Sequence, residues 1–477
     1  MILPPPHSPI PPWSRRRALG SIACGFGWLA FSGLAGAAGR RPMAARPPLF
    51  QPRAKRVIFL FMQGGPSQVD TFDYKPRLAR DEGKMLAFDD ARTLANTGRR
   101  GTDQRVLKSP WAFRQHGQSG RWVSELFPHL AGHVDDLCFI RSMQTEGVAH
   151  GPATLFLHTG STNLIRPSMG AWVSYGLGTE NDNLPGFVTI APSLGNGGAR
   201  NWGQAFLPAL HQGTPIGLAG QSASSFALKH VANPRPLAAR QREFDLLRGL
   251  NAEQLHRTPP DPAMEAVIES FELAWRLQVK APDVLDLRGE NEVTREMYGI
   301  GEKATDDFGR QCLMARRLAE QGVRFIQVTY GDSTANPRWD QHSNLPKHAD
   351  HAAAVDKPVA GLLLDLKQRG LLEDTLVWWG GEFGRTPYAE KNGTGRDHNP
   401  SAFTIWLAGA GVKPGFALGE TDEFGGEVAE RPVHMHDLHA TILHLLGLDH
   451  EQLTFPFDGR QFRLTDVHGL VVPEILA

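Results

Sequence analysis

Carboxylates and imidazoles recur along this chain in short polar stretches beside apolar runs. Asp70 and Asp73 follow the apolar run 57–62, His150 follows 137–140, Asp340 and His342 follow 323–328, and Glu382 and Arg385 follow 375–379. Asp397 and His398 precede the run 403–407. Carboxylate oxygens and imidazole nitrogens hold divalent metals, and such sites are assembled from donors that lie far apart in sequence. Asp70, Asp73, Asp332, Asp340, His342, His348, Glu382, Asp397 and His398 are therefore all available to hold about one or two divalent ions, Zn, Mn, Ca or Mg. The imidazole of His150 has three chemistries open to it: attack on phosphorus, general base catalysis, or ligation of the metal. Arg385 stands beside it as the second candidate catalytic residue. Structural roles compete at each position. Asp70 and Asp73 fit a helix cap or a turn beside Pro76, Glu382 with Arg385 fits an ion pair at a strand end, and Asp340 with His342 fits a surface loop. Asp397 also fits a partner that orients the His398 imidazole.

The elements that must position these residues follow from the apolar pattern. The runs 57–62, 137–140, 187–190, 323–328, 375–379 and 403–407 have the length and continuity of strands buried on both faces, and Gly64-Gly65-Pro66 stops the first abruptly. Phe308, Cys312, Ala315 and Ala319 mark one helical face before the 323 strand, and Val355, Val359, Leu362, Leu363 and Leu366 mark another before the 375 strand. Alternating helix and buried strand predicts an α/β fold, a three-layer α/β/α sandwich around a mainly parallel sheet. Ligands bind such sheets outside the carboxyl ends of the strands, which is where the polar stretches fall.

The segment His150-Gly151-Pro152-Ala153-Thr154-Leu155-Phe156-Leu157-His158-Thr159-Gly160 carries a family resemblance. Sulfatases have there a Cys or Ser, any residue, Pro, Ser, Arg and an apolar run closing on Thr-Gly. Pro152, Leu155 to Leu157 and Thr159-Gly160 keep that register, so the chain resembles the alkaline phosphatase and sulfatase superfamily. More narrowly it resembles the exported proteins grouped as domain-of-unknown-function family 1501, from the twin arginines to the C-terminus. The resemblance implies an alkaline phosphatase-like fold and a metal held by residues in the places of Asp70, Asp340 with His342, Glu382 and His398. The sequence departs from that pattern at four places. His150 replaces the nucleophile, which removes formylglycine chemistry, and Thr154 replaces the Arg. Gly64-Gly65 stands where sulfatases carry paired Asp. Glu382-Phe383-Gly384 replaces Asp-His-Gly or Asp-Asn-Gly, which implies fewer metals.

The N-terminus reads as an address. Ser14-Arg15-Arg16-Arg17-Ala18-Leu19 precedes an apolar stretch over 22–35, and Ala35-Gly36-Ala37 fits a cleavage site. Residues 1–38 are thus expected to be a twin-arginine signal, with no transmembrane segment after its removal and a periplasmic or extracellular destination. A linker over 39–52 leads to one domain over 53–477, with an irregular insertion over 192–290 and a closing segment over 410–477. Lys plus Arg equals Asp plus Glu at 50 each, so no net field favours nucleic acid. Past the signal only Cys138 and Cys312 remain, both in apolar segments and expected as buried thiols. The expected partner is a small anionic ester or a sulfated or phosphorylated glycan. Three functions follow: an exported metal-dependent hydrolase of phosphate or sulfate esters, an inactive binder of such a glycan, or an envelope assembly factor.

Overall fold

A computed structural model describes residues 43–88, 103–226, 235–259, 261–390 and 393–477. The twin-arginine segment and its cleavage site lie outside these residues. Strand β1 (Arg56–Met62) is buried at every position. Its side chains alternate between two cores. Ile58, Leu60 and Met62 join Phe308, Cys312, Val355 and Leu362, whereas Val57, Phe59 and Phe61 join Phe156, Trp172, Leu438 and Ile442. This period of two places the strand between two helical layers, the arrangement that a continuous apolar run requires.

The other strands of the central sheet are β2 (Leu137–Gln144), β3 (Phe187–Ile190), β4 (Thr214–Ile216), β5 (Phe325–Tyr330) and β6 (Thr375–Gly380). A separate hairpin, β7 (Gly384–Ala389) and β8 (Arg396–Asn399), leads into β9 (Phe403–Ala408), followed by β10 (Phe416–Leu418) and β11 (Val433–His434). The sheet runs β10-β2-β9-β6-β1-β5-β3-β4, with β11 also on β2. β1, β3, β4, β5 and β6 are mutually parallel, and β9 is antiparallel to both β6 and β2. One reversed strand has a functional consequence. The start of β9, with the hairpin before it, lies at the same edge as the ends of β1, β2, β5 and β6.

Helices α1 (His150–Thr159), α2 (Met169–Leu177) and α7 (Met435–Leu445) cover one face, and α5 (Asp306–Glu320) and α6 (Lys347–Gln368) cover the other. The result is a three-layer α/β/α sandwich with a mostly parallel sheet. The stretch 192–290, expected as an insertion of mixed helical and irregular character, supplies the edge strand β4 and two long helices, α3 (Leu237–Arg257) and α4 (Pro262–Leu285). Residues 43–52, expected as linker, contact the domain: Met43 is buried, and Ala44 bridges Thr179. Cys138 and Cys312 are free and buried, and burial pushes the Cys138 thiol up to about 12. No helix among the described residues is long and apolar enough to cross a membrane.

Candidate metal centre

Four side chains from three parts of the chain meet at this sheet edge. His150 opens α1 after β2, Asp340 and His342 lie in the loop between β5 and α6, and His398 lies on β8. Their donor atoms all fall within 4.8 Å of one another. The Asp340 Oδ1 oxygen lies 2.8 Å from His342 Nε2, 3.2 Å from His150 Nε2 and 3.3 Å from His398 Nε2. His342 Nε2 and His398 Nε2 are 3.0 Å apart. Ligands at about 2.0–2.1 Å from a tetrahedral ion stand about 3.3 Å from each other, so these spacings suit a four-coordinate cation.

The outer nitrogens decide which way the imidazoles present their lone pairs. His398 Nδ1 lies 2.7 Å from the Val148 carbonyl oxygen, which only accepts, so this nitrogen donates and the lone pair sits on Nε2. His150 Nδ1 lies 2.7 Å from Glu382 Oε1, and His342 Nδ1 lies 2.5 Å from Glu390 Oε2. Each ring is thus held from behind by an acceptor, the arrangement that orients metal-ligating histidines. His150 Nε2 is buried and faces inward, with Asp340 Oδ1 beside it at 3.2 Å.

The electrostatics agree with this geometry. Burial raises the Asp340 carboxyl, but its hydrogen bonds with His150, His342 and His398 outweigh that and hold it well below the usual carboxylate range. Burial also opposes a charge on His342, yet Asp340 and Glu390 together raise that imidazole to about 9. His398 goes the other way: burial takes it down to about 3 despite Asp340. A proton on His342 therefore balances the carboxylate, a role that a bound cation would take over.

Gly64 makes the close packing possible. Its φ is 112°, and a Cβ there would lie 2.7 Å from the backbone nitrogens of Trp339 and Asp340. Its amide donates to both oxygens of Glu382 at 2.9 and 3.1 Å. The glycine pair that stands in place of an Asp pair thus serves as the seat for Glu382, and Glu382 serves His150. Phe383 packs against both rings, with centroids 5.0 Å from His150 and 4.4 Å from His398. Because Glu382 touches His150 on the outer nitrogen, Glu382→Gln should weaken metal affinity by roughly 10- to 100-fold while leaving all four donors in place. A metal titration of the variant with unchanged affinity would contradict this.

The remaining sequence candidates have other partners. Asp70 is not brought to the centre: its carboxylate pairs with Arg396 Nε at 2.7 Å and accepts from Ser67 Oγ at 2.5 Å. Asp73 is likewise elsewhere, buried against Lys75 at 3.2 Å and accepting from Thr421. The carboxylate reading of Glu382 as a direct ligand gives way to its contact behind His150. Asp397 stands 3.6 Å from His342 Nδ1 and accepts from the His398 amide at 2.8 Å, so it borders the centre from outside. The Arg385 guanidinium is buried and donates to the carbonyls of Gly64, Gly65, Trp339 and Arg396 and, at 2.8 Å, to Asp340. It fixes Asp340. Glu390 and Arg396 were not singled out by sequence reasoning. Glu390 sits before Lys391-Asn392-Gly393, where it reads as a turn, and Arg396 lies beside Asp397-His398 with no local sign of its distant partner.

A family model described as "Protein of unknown function (DUF1501)" matches residues 54–476. The chain belongs to that family. No curated protein matches it. Among solved structures this DUF1501 member is similar to the PsFucS1 sulfatase from Pseudoalteromonas sp., at 11% identity over 95% of this chain and 75% of that one, with a TM-score of 0.35. It is also similar to the alkaline phosphatase from the Antarctic bacterium TAB5, at 10% identity over 83% and 99%, with a TM-score of 0.32. A third likeness is to the phosphonate monoester hydrolase from Silicibacter pomeroyi, at 15% identity over 82% and 73%, with a TM-score of 0.30. Scores this low leave any functional reading to the side chains themselves.

Proposed function

We propose that this chain is an exported hydrolase of phosphate or sulfate esters that depends on one divalent ion, held by Asp340 Oδ1 and the Nε2 atoms of His150, His342 and His398. The observation that carries the reading is the tethering of all three outer nitrogens, by Glu382, Glu390 and the Val148 carbonyl, around one carboxylate oxygen. An ion there, when bound, would polarise an ester oxygen and bring the pKa of water toward neutrality, so no activated Ser is needed. His150 then acts as a ligand in the place of a nucleophile. Glu382 keeps its Nδ1 protonated, Arg385 fixes the carboxylate of Asp340, and the Phe383 ring keeps water from the flank of His398.

The test is a panel of aryl phosphate, phosphodiester and sulfate esters with Mn, Zn, Mg and Ca in turn, for wild type and His150→Ala. Turnover and metal content should fall together in the variant, turnover by on the order of 100-fold. Loss of turnover with metal fully retained would return His150 to the role of nucleophile or base. A second reading has its own support. Four protein donors fill a tetrahedral shell, and closed shells belong to structural sites. An inactive protein that binds a sulfated or phosphorylated glycan would then bind metal yet hydrolyse no ester in the panel.

Export by the twin-arginine route is part of the proposal. Replacing Arg15 and Arg16 by Lys keeps the charge but removes the guanidinium groups, and should leave the chain inside the cell. Unchanged export in a cell-fractionation assay would point to another route.

A further inference from the structure

The same sheet edge holds a second feature, two strands away from β1. Past the ends of β3 and β5 lies a polar cavity of about 180 Å³ whose lining includes Ala191, Lys303, Asp307, Gln311, Tyr330 and Arg338. Ala191 is buried and sits at φ 51°, a left-handed conformation uncommon for a non-glycine residue. Such strain clusters at ligand sites. Gln311 of α5 is 7% exposed, and its amide oxygen has no hydrogen-bond partner.

The charges at the cavity are equally unbalanced. Arg338 lies with its guanidinium 4.8 Å over the Tyr330 ring, and among the described residues neither it nor Lys303 has a carboxylate within ion-pair distance. The cavity's own carboxylate, Asp307, is engaged by Ser222 Oγ at 2.9 Å and the Ala223 amide at 2.8 Å. Two cations without counter-ions suit an anion, and the Gln311 amide oxygen suits a ligand hydroxyl group. Arg338 is two residues from Asp340, so their Cα atoms are at most about 7 Å apart. Arg338 thus belongs to the loop that carries Asp340.

We propose that this cavity binds a hydroxylated ring carrying a sulfate or phosphate group and so selects the part of the ligand remote from the reacting ester. The assignment rests on the reading of the metal centre as a site for anionic esters. The full metal-loaded chain should be titrated with glucose 6-sulfate, glucose 6-phosphate and glucose, as wild type, Arg338→Ala and Lys303→Ala. The anionic sugars should bind more tightly than glucose, the tighter of the two naming the anion. Each variant should weaken that binding by about 10-fold or more with metal content unchanged. Lys303 is exposed, so its replacement leaves the fold intact. Equal affinity for glucose and both anionic sugars, or unchanged binding in both variants, would overturn the proposal. Wild type that binds the anionic sugars yet hydrolyses no ester would defeat the hydrolase reading alone. Ester hydrolysis with no sugar binding and an unaltered KM in Arg338→Ala would defeat the cavity assignment alone.

Discussion

Asp340→Ala is expected to give a chain that binds less than about a tenth of the wild-type metal and unfolds at markedly lower denaturant. Two effects combine. The substitution removes the oxygen around which His150, His342 and His398 converge, and three neutral donors hold a cation less well than three donors with a carboxylate. It also strands Arg385, whose side chain is 1% exposed and has Asp340 as its anionic partner at 2.8 Å. Removing one member of a buried pair typically destabilises by about 3–5 kcal/mol, because the other charge stays behind without compensation. Elemental analysis and urea unfolding, each with and without a chelator, separate the two contributions. Full metal occupancy in the variant would contradict the assignment of Asp340 as a ligand.

Asp70→Ala should behave differently, and the contrast distinguishes a ligand from a structural carboxylate. Asp70 and Arg396 are both fully buried and pair at 2.7 Å, with Arg396 further held by the Thr386 and Leu107 carbonyls. The expected loss is again about 3–5 kcal/mol of stability, but the folded fraction should keep its metal. Replacing both partners, as Asp70→Leu with Arg396→Met, should recover much of the loss, since no charge is then left alone. The pH dependence has a definite sign. Burial raises the Asp70 carboxyl, yet Arg396 and Ser67 outweigh it and bring it below its ordinary 3.8. The stability it contributes is therefore present above that ordinary value and is lost as pH falls through the lowered one. Loss of metal in folded Asp70→Ala would sink the structural reading.

Legibility in the sequence divides along physical lines. The strands β1, β6 and β9 and the helices α5 and α6 are readable because burial on a fixed face imposes a period that local sequence records. The reversal of β9 is not, since a buried strand has the same composition in either direction. That reversal is what brings His398 to the ends of the parallel strands. Asp340, His342 and His398 could be picked out by residue type and by position beside a strand. The distinction between Asp70 and Asp340 could not. Both are buried carboxylates in loops at that edge, and what separates them is a partner, Arg396 or the imidazoles, that lies far away in the chain. Glu382 shows the same limit. A carboxylate that touches the metal and one that touches the ligand behind it have the same sequence signature, and only the Gly64 amide and His150 Nδ1 around it reveal which it is.

The central claim is a single ion with three imidazoles and one carboxylate around it, and X-ray absorption spectroscopy on the metal-loaded full chain tests it most directly. The spectrum should show three imidazole scatterers and a carboxylate oxygen at about 2.0–2.2 Å, from about one ion per chain by elemental analysis. Two ions per chain, fewer than three imidazoles at the ion, or no tightly held metal in wild type would contradict it.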